Sequence, residues 1–286
     1  MTIIKKAVVK HRQYAKAHLL NQGGGGETSE ATQDRDDNVH YSLVAVAPRQ
    51  TNPVIEIGSD AFANFDFVSG GHSFGHSEII DEYRIIKNRV LWHIDQADPA
   101  ISQHQNLLMV SSANKGEGKT FTAVNLALSL ATEAERTVLL IDADCVSRDL
   151  TQSVSMSDAP GLINYLSGDV RDISNILHPT TIPNLKLIPA GDRHMLSSEL
   201  LNSQRMEAFT RELAERYDDR IIIFDTPPVL QSFESIALSK SVGQALFVVE
   251  RFKTRTRDVE RAIQSLSQHL KVGVVINKAK SERLRG

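Results

Sequence analysis

The residues best suited to chemistry lie in one short stretch, SSANKGEGKT, which follows an apolar run and precedes a helical pattern. Gly116 and Gly118 allow successive backbone amides to turn toward an anion, and a helix that begins after them presents its unpaired amides to the same anion. Lys119 would neutralise the β and γ phosphates of a nucleotide, and the Thr120 hydroxyl would ligate Mg²⁺ between them. The stretch therefore predicts a phosphate-binding loop, although Ala113 stands where the pattern G-x-x-x-x-G-K-[ST] has its first glycine.

Carboxylates follow two other apolar runs. In VLLIDAD, Asp142 and Asp144 occupy alternate positions, so on a strand both would point to one side, where they could hold hydrated Mg²⁺ and accept a hydroxyl proton. In IIIFDTPP, Asp225 suits a position close to the same ion, while Pro227 and Pro228 stop the strand and stiffen the turn. Acidic residues at two strand ends, together with a phosphate-binding loop, indicate hydrolysis or transfer of a nucleotide phosphate.

The elements that position these residues alternate between strand and helix patterns. Helical patterns over 122–133 and 205–217 supply the crossover connections that a parallel sheet requires. Strand-sized apolar runs, of the kind seen in strands buried on both faces, occur at 107–110, 138–141, 185–188, 221–224, 246–249 and 272–276. The pattern predicts a doubly wound, mostly parallel α/β sheet over about residues 78–280, with SIMIBI-like P-loop NTPase architecture and a deviant Walker A loop.

The composition excludes several classes of protein. Apolar residues make up 41% and charged residues 23% of the 286-residue chain, as in ordinary soluble globular domains. The net charge of −3 argues against binding of nucleic acid through bulk phosphate neutralisation. Cys145 is the one cysteine, so no intramolecular disulfide can form, and neither a secretory signal nor a run of about 20 apolar residues is present. We therefore expect a cytoplasmic protein that reaches the inner face of the membrane only through a partner.

The N-terminal residues differ in pattern from the rest. Residues 1–22 carry five basic and no acidic side chains beside a rough apolar face, which predicts a basic helix, and the tetraglycine and acidic tract that follow predict a flexible linker. His72 and His76 lie in loop-like sequence without a third ligand at metal-binding spacing, so we expect them to be solvent-exposed. A helix capped by Ser77 then begins the main domain. The predicted division is 1–76, 77–280 and a short basic tail at 281–286.

Three motifs together resemble those of the bacterial tyrosine kinases that use a phosphate loop instead of the eukaryotic kinase fold. They are GEGKT at 116–120, DAD at 142–144 and FDTPP at 224–228, and the stretch at 198–206 is similar to the one that precedes the family's second acidic strand. The similarity covers about residues 78–279. Within the family it is greatest to the separate-chain autokinases that accompany exosortase-linked exopolysaccharide systems.

The resemblance implies an ATP-dependent protein-tyrosine autokinase that regulates the synthesis, chain length or export of an exopolysaccharide. Asp142 would activate the attacking tyrosine hydroxyl, and Lys119 would hold the phosphates. The metal-binding set would be Thr120, Asp142, Asp144 and Asp225. The residues expected to bind ATP are Lys115, Gly116, Glu117, Gly118, Lys119, Thr120, Phe121 and Asn277. Asn277 would contact the adenine edge, although a turn-forming asparagine fits the sequence equally well.

The resemblance also implies partners. Members of the family work beside a membrane protein that controls the chain length and export of a polysaccharide. Their oligomer-forming helix carries an acid, an arginine and a further basic residue at intervals of three, and Asp81, Arg84 and Lys87 match that spacing. We therefore expect a homo-oligomer and a membrane partner, and no nucleic acid.

Two departures from the family pattern concern an arginine and the tyrosines. The arginine that shortly follows the family's paired acids is displaced here to Arg148, and the tail KSERLRG lacks the family's phosphorylated tyrosine cluster, so we expect no phosphorylation there. The chain has five tyrosines: Tyr14, Tyr41, Tyr83, Tyr165 and Tyr217. We expect Tyr83 to pack on its helix, which leaves Tyr14 and Tyr41 as the accessible acceptors.

Two other functions fit the same fold. A partition or division-site ATPase has a signature lysine five residues before the lysine of the phosphate loop, and Asn114 holds that position here, with Lys115 one residue away. A regulatory scaffold would bind ATP and control a polysaccharide machine without transferring phosphate, which the lack of tyrosines in the tail favours. Labelling of protein tyrosine by ATP separates the kinase from both alternatives.

Overall fold

The computed structural model of the chain describes residues 76–96, 104–216 and 220–279. The chain divides into two units, Met1–Pro48 and Arg49–Gly286, and every described residue belongs to the second. The predicted basic N-terminal helix, linker and tail lie outside the described residues, as does His72. The predicted domain division therefore stays a prediction.

Strands and helices alternate along the described chain as the apolar runs predict. The elements are α1 (His76–Asp95), β1 (Leu107–Ser112), α2 (Lys119–Leu130), β2 (Thr137–Asp142), α3 (Asp149–Ser153), α4 (Leu162–Ser167), β3 (His178–Pro179), β4 (Leu185–Ile188), α5 (Ser197–Leu201), α6 (Gln204–Arg216), β5 (Arg220–Asp225), α7 (Phe233–Leu238), β6 (Gln244–Glu250), α8 (Thr256–Ser265) and β7 (Lys271–Asn277). All six predicted strands are confirmed. The first helix begins one residue before Ser77, so this serine lies inside its first turn and not at its cap.

The described strands form one sheet in the order β3-β4-β2-β5-β1-β6-β7. Every adjacent pair is parallel except β3 and β4, which are antiparallel. The apolar pattern did not predict β3, because its two residues, His178 and Pro179, are too few to form a pattern. They lie at the edge of the sheet, where a proline is tolerated. The fold is therefore the predicted doubly wound, mostly parallel α/β sheet.

The strand order brings the three predicted site segments together. β5 lies between β2 and β1, so the acidic end of β5 adjoins the strand that precedes the phosphate-binding loop, and the acidic end of β2 adjoins β5. Asp225 is paired in register with Asp142 on one side and with Val110 on the other. Because the carboxyl ends of parallel strands meet at one edge of a sheet, the loop and both carboxylates share that edge.

Apolar clusters cover both faces of the sheet. β1 and β5 are buried along their whole length, as parallel strands with helices on both faces must be. The helix α2 packs against α1, where the rings of Tyr83 and Phe121 lie 6.4 Å apart. Complete burial of a side chain such as Leu126 contributes about 2 kcal/mol to the stability of this layer. The packing fixes the first turn of α2, and with it the lysine and threonine of the loop.

Candidate nucleotide and phosphoryl-transfer site

The loop between β1 and α2 has a backbone that depends on its glycines. Gly116 and Gly118 have φ angles of +85° and +99°, a conformation that glycine adopts without strain. A Cβ at position 118 would lie 1.9 Å from Asn277 Nδ2, so space as well as conformation requires glycine there. Lys119 begins α2 and is only 7% exposed. The unpaired amides of the first helical turn and this buried lysine form one anion-binding site.

A buried acid braces the loop from within. The Glu117 carboxylate accepts hydrogen bonds from the Asn114 amide (3.0 Å), the Asn114 side chain (3.2 Å) and the Thr254 hydroxyl (2.6 Å). The Glu117 side chain therefore shapes the loop, and only its backbone amide is left to meet the predicted nucleotide. Ala113, the departure from the strict motif, is fully buried and has no positive φ angle, so its backbone does not require glycine.

Two residues at the end of β7 hold the outer side of the loop. The Asn277 side chain donates to the Glu117 carbonyl at 3.0 Å, and its own oxygen accepts from the Lys278 amide at 2.7 Å. The Lys278 ammonium donates to the Gly116 carbonyl at 2.8 Å. The Asn277 side chain therefore bonds to the loop and forms a local turn. A contact with the adenine edge is the alternative that the sequence predicts for this residue.

Asp225 is a buried carboxylate whose oxygens both lack a hydrogen-bond partner among the described residues. Burial, together with the charge of Asp142, raises its pKa well above the ordinary value, while the Thr120 hydroxyl and the Lys119 ammonium act in the opposite direction. Native structures seldom leave a buried acid unpartnered. The surroundings therefore fit a cation such as Mg²⁺, which binds carboxylate and hydroxyl oxygens together with phosphates and water.

Asp142 is fully buried and lies behind the cavity that the loop borders. Its carboxylate accepts hydrogen bonds from the Thr151 hydroxyl (2.6 Å), the Thr151 amide (2.9 Å) and the Asp144 amide (3.2 Å). Burial raises its pKa to about 7; the bonds from Thr151 lower the pKa and the charge of Asp144 raises it further. Sequence reasoning missed Thr151, because a threonine in a short helix carries no signal by itself.

Asp144 is the member of the acidic pair that lines the cavity. It is 7% exposed and accepts a hydrogen bond from the Ser147 amide at 3.1 Å. Strand alternation predicts that both acids face one side together, but β2 ends at Asp142, so the alternation does not extend to Asp144. The two acids therefore occupy different depths, with Asp144 on the wall and Asp142 behind it.

One cavity of about 430 Å³ joins these segments, a volume within the usual range of small-molecule sites. The predicted binding residues that line it are Lys115, Gly116, Gly118, Lys119, Thr120, Phe121 and Asp144, with Pro227 and Pro228 on a neighbouring wall. Sequence reasoning missed the other lining residues, which are Val146, Ser147, Asp149, Gln231, Ser232 and Glu234. They belong to the connections after β2 and β5 and to the first turns of α3 and α7, short segments whose course the sequence pattern does not specify.

Arg148 does not line the cavity. It is buried at a φ angle of +56°, and its guanidinium donates to the Ser157 carbonyl at 2.8 Å. The side chain thus ties the connection after β2 to the loop that follows α3. In this chain the displaced arginine holds the structure of the loop and does not contact the site.

The three predicted oligomerisation residues on α1 have different environments. Asp81 and Arg84 are exposed and form an ion pair with each other at 2.8 Å. Lys87 is 7% exposed and turns inward, where it pairs with Glu133 at 2.6 Å and donates to the Thr132 hydroxyl at 3.2 Å. Two of the three side chains are therefore available for contact at the surface.

Within residues 76–96, 104–216 and 220–279, no helix has both the length and the apolar character needed to cross a membrane. The same residues contain no group of three or more His, Cys, Asp or Glu side chains arranged to hold a metal.

Comparisons with known proteins agree with this geometry. A family model described as an AAA domain matches residues 106–269. The tyrosine-protein kinase CpsD of Streptococcus pneumoniae serotype 4 is 34% identical over 175 residues, which cover 60% of this chain and 75% of CpsD. The chain belongs to the bacterial tyrosine-protein kinases. Membership of this P-loop kinase family implies nucleotide binding.

Other members of the kinase family match over a similar share of the chain. The tyrosine-protein kinase ptk of Acinetobacter johnsonii is 31% identical over 176 residues, which are 62% of this chain but 23% of ptk. The solved kinase domain of the Escherichia coli tyrosine kinase ETK superposes with a TM-score of 0.58 at 27% identity, covering 68% of this chain and 74% of that domain. The chain therefore spans about a quarter of the length of ptk.

Proposed function

We propose that the chain is an ATP-dependent protein-tyrosine kinase that regulates the synthesis, chain length or export of an exopolysaccharide. The observation that carries the proposal is the buried, unpartnered Asp225 next to Lys119 of a glycine-shaped loop. A buried carboxylate of this kind is costly unless a cation binds it. Membership of the kinase family supplies the reaction for which that cation is needed.

Nucleotide binding rests on the loop and its helix. The amides of residues 116–120 and the Lys119 ammonium would hold the β and γ phosphates of ATP. Mg²⁺, when bound, would neutralise charge on those phosphates, and Thr120, Asp144 and Asp225 would hold it, with Asp142 adjacent. Asp144 and Asp225 lie at the ends of β2 and β5, and Thr120 lies in the first turn of the helix that follows β1, so three neighbouring strands would position these residues.

The transfer moves one phosphoryl group from ATP to a tyrosine. The phenol oxygen bonds to the γ phosphorus, the bond from that phosphorus to the bridging oxygen breaks, and ADP leaves. The phenol proton passes to the carboxylate pair, in which Asp144 borders the cavity and Asp142 lies behind it. The Asp142 pKa of about 7 suits a base that works near neutral pH, and the two bonds from Thr151 keep its carboxylate oriented.

The proposed surroundings of the kinase follow from the family resemblance. A membrane protein that controls polysaccharide chain length and export is the proposed partner, which would hold the kinase at the inner face of the membrane. Exposed Asp81 and Arg84 are the proposed contacts between copies in a homo-oligomer, while Lys87 stabilises α1 from its inner side. The domain division at residues 76 and 280 belongs to the same proposal.

A partition or division-site ATPase is disfavoured by Asn114, which stands at the position of that class's signature lysine. Its side chain donates to Glu117 within the same loop and brings no positive charge to a nucleotide. Labelling of tyrosine by ATP distinguishes the kinase from a regulatory scaffold that binds ATP without transferring phosphate.

Incubation of the full chain with Mg²⁺ and γ-labelled ATP tests the proposal, with and without the cytoplasmic segment of a membrane polysaccharide partner. We expect label on tyrosine, and we expect Lys119→Ala to abolish it. The control variant Lys240→Ala should retain the label, because Lys240 is exposed and lies outside this cavity. Consumption of ATP without labelled tyrosine under both conditions would contradict the kinase and favour a scaffold or a simple ATPase.

A further inference from the structure

Several large apolar side chains are exposed on the cavity and on the segments beside it. Nine such side chains are exposed in the described part of the chain. Four of them form what we call the apolar rim: Val146 (66% exposed), Met195 (99%), Leu196 (52%) and Phe233 (85%). Exposed apolar patches on soluble domains commonly mark binding surfaces.

The rim begins on the two connections that border the transfer site. Val146 lines the cavity, two residues after Asp144. Phe233 is the first residue of α7, and the residues on both sides of it line the cavity. The Glu234 carboxylate accepts hydrogen bonds from the hydroxyls of Ser232 and Ser198, so this acid already has partners next to Phe233.

The other two rim residues, Met195 and Leu196, are positioned by α5. This helix packs against α7, and the bond from Ser198 to Glu234 joins the beginnings of the two helices. Met195 and Leu196 immediately precede α5, so they lie beside the beginning of α7. The rim therefore extends from the cavity onto the neighbouring surface.

The phosphate loop and the rim border the same cavity. Lys115, Gly118 and Lys119 of the loop line it, and so do Asp144 and the rim residue Val146. A protein tyrosine that binds in this cavity would therefore bring its neighbouring residues close to the apolar side chains of the rim.

The described tyrosines are poorly placed to be acceptors. Tyr83 is 5% exposed, and burial raises its pKa to about 12. The Tyr165 ring packs against Phe209, with centroids 5.3 Å apart, and lies under the Arg205 guanidinium at 5.0 Å. Each of these rings would have to leave its packing to enter a cavity.

The three remaining tyrosines differ in the chemistry of their flanks. Tyr14 lies among basic residues in HRQYAKAH, and Tyr217 among charged residues in ERYDDR. Tyr41 is followed by SLVAVA, in which five of six side chains are apolar. Of these three tyrosines, Tyr41 is the one whose neighbours match an apolar surface.

We propose that the apolar rim binds the segment Tyr41–Ala47 of a second copy of this chain and that Tyr41 is a phosphorylation site. The inference rests on the proposed kinase function and names its acceptor. Apolar side chains that follow Tyr41 would cover Phe233 and its neighbours, which removes apolar area from water on both partners and holds the phenol at the transfer site.

Mapping of phosphotyrosine after incubation with Mg²⁺ and ATP is the first test. The substrate is the full-length Lys119→Ala chain, which cannot phosphorylate itself, mixed with wild-type enzyme. We expect Tyr41 to carry the label, Tyr41→Phe in the substrate to remove most of it, and the matched Tyr14→Phe and Tyr217→Phe variants to retain it. Label on tyrosines other than Tyr41 overturns the inference and leaves the kinase function intact.

Failure to label the Lys119→Ala substrate, while wild type labels Tyr41 within its own chain, also overturns the second-copy assignment. If no tyrosine is labelled on any protein, including a membrane partner, the kinase function fails and the inference with it. The two failures are therefore distinguishable.

Variants of the enzyme test the rim itself. Phe233→Asp should raise the KM for a peptide of residues 36–50 by about tenfold, since an aromatic contact of this size is lost. Phe252→Asp is the matched control, because Phe252 is 93% exposed but does not line the cavity or contact α7 through any described bond. Binding of ADP, measured separately, shows that each variant is folded. Equal KM values for the two variants would overturn the role of the rim.

Discussion

Replacing Asp225 with asparagine removes a buried negative charge whose oxygens have no hydrogen-bond partner among the described residues. The amide is nearly the same size, so the packing around β5 should change little. Without nucleotide or Mg²⁺, we expect the variant to be more stable than the wild type, even though it should lose kinase activity. A residue retained at a cost in stability is the signature of a site built to bind something.

The size of the effect follows from the burial of the carboxylate. An unsatisfied buried charged group costs about 2 kcal/mol relative to a neutral one. For a domain of this size, each kcal/mol shifts Tm by roughly 3 °C, so Asp225→Asn should raise Tm by about 6 °C. Because burial raises the pKa of Asp225 in the folded state, the wild type regains stability as the pH falls through that raised pKa. The difference between the two proteins should therefore be largest at alkaline pH and shrink on acidification.

Thermal unfolding followed by circular dichroism measures this difference in EDTA at a series of pH values from about 5 to about 8.5. Asp158→Asn, an exposed acid, is the control and should leave Tm unchanged within about 1 °C. Addition of MgADP should stabilise the wild type much more than Asp225→Asn, so the difference in Tm between the two proteins should become smaller or change sign. A variant that is less stable than wild type in EDTA at alkaline pH would refute the reasoning, because it would mean that the carboxylate already has a favourable partner.

Three further predictions concern the loop, the acidic pair and a buried tyrosine. Gly118→Ala should weaken ADP binding in calorimetry at least about tenfold, because the new Cβ meets Asn277 at a φ angle of +99°, and unchanged affinity would contradict this geometry. Thr151→Val should lower kcat about tenfold with little change in the KM for ATP. It should also shift the acidic limb of the pH–rate profile to higher pH, because the hydroxyl bond that it removes lowers the Asp142 pKa in the wild type. A change in the KM for ATP without a change in kcat would contradict this role of Thr151. Tyr83→Phe should leave total phosphotyrosine, measured by mass spectrometry, the same as in wild type, since this ring is buried on α1.

The fold was largely predictable because its signals are local. Six apolar runs separated by helical patterns specify a parallel sheet, and GEGKT before a helix specifies the loop at its edge. The local sequence patterns do not specify the strand order. That β5 lies between β1 and β2, and that Asp225 therefore stands in register with Asp142, depends on long-range packing of the whole sheet.

The sequence predicted the types of residue at the site but not how deeply each of them is buried. Strand alternation places Asp142 and Asp144 side by side only while the strand continues, and β2 stops at Asp142. The sequence does not define a role for Arg148, which in the structure is buried and donates to the Ser157 carbonyl. Exposed side chains such as Met195 and Phe233 resemble core residues in a sequence, because hydrophobicity alone does not report which face of a loop is covered.

Isothermal titration calorimetry of ADP into the full chain, with and without Mg²⁺, tests the central claim most directly. The account predicts binding that Mg²⁺ strengthens at least about tenfold, and loss of that Mg²⁺ dependence in Asp225→Asn. Equal affinity with and without Mg²⁺ in the wild type, or no binding of ADP under either condition with a membrane partner present, would contradict it.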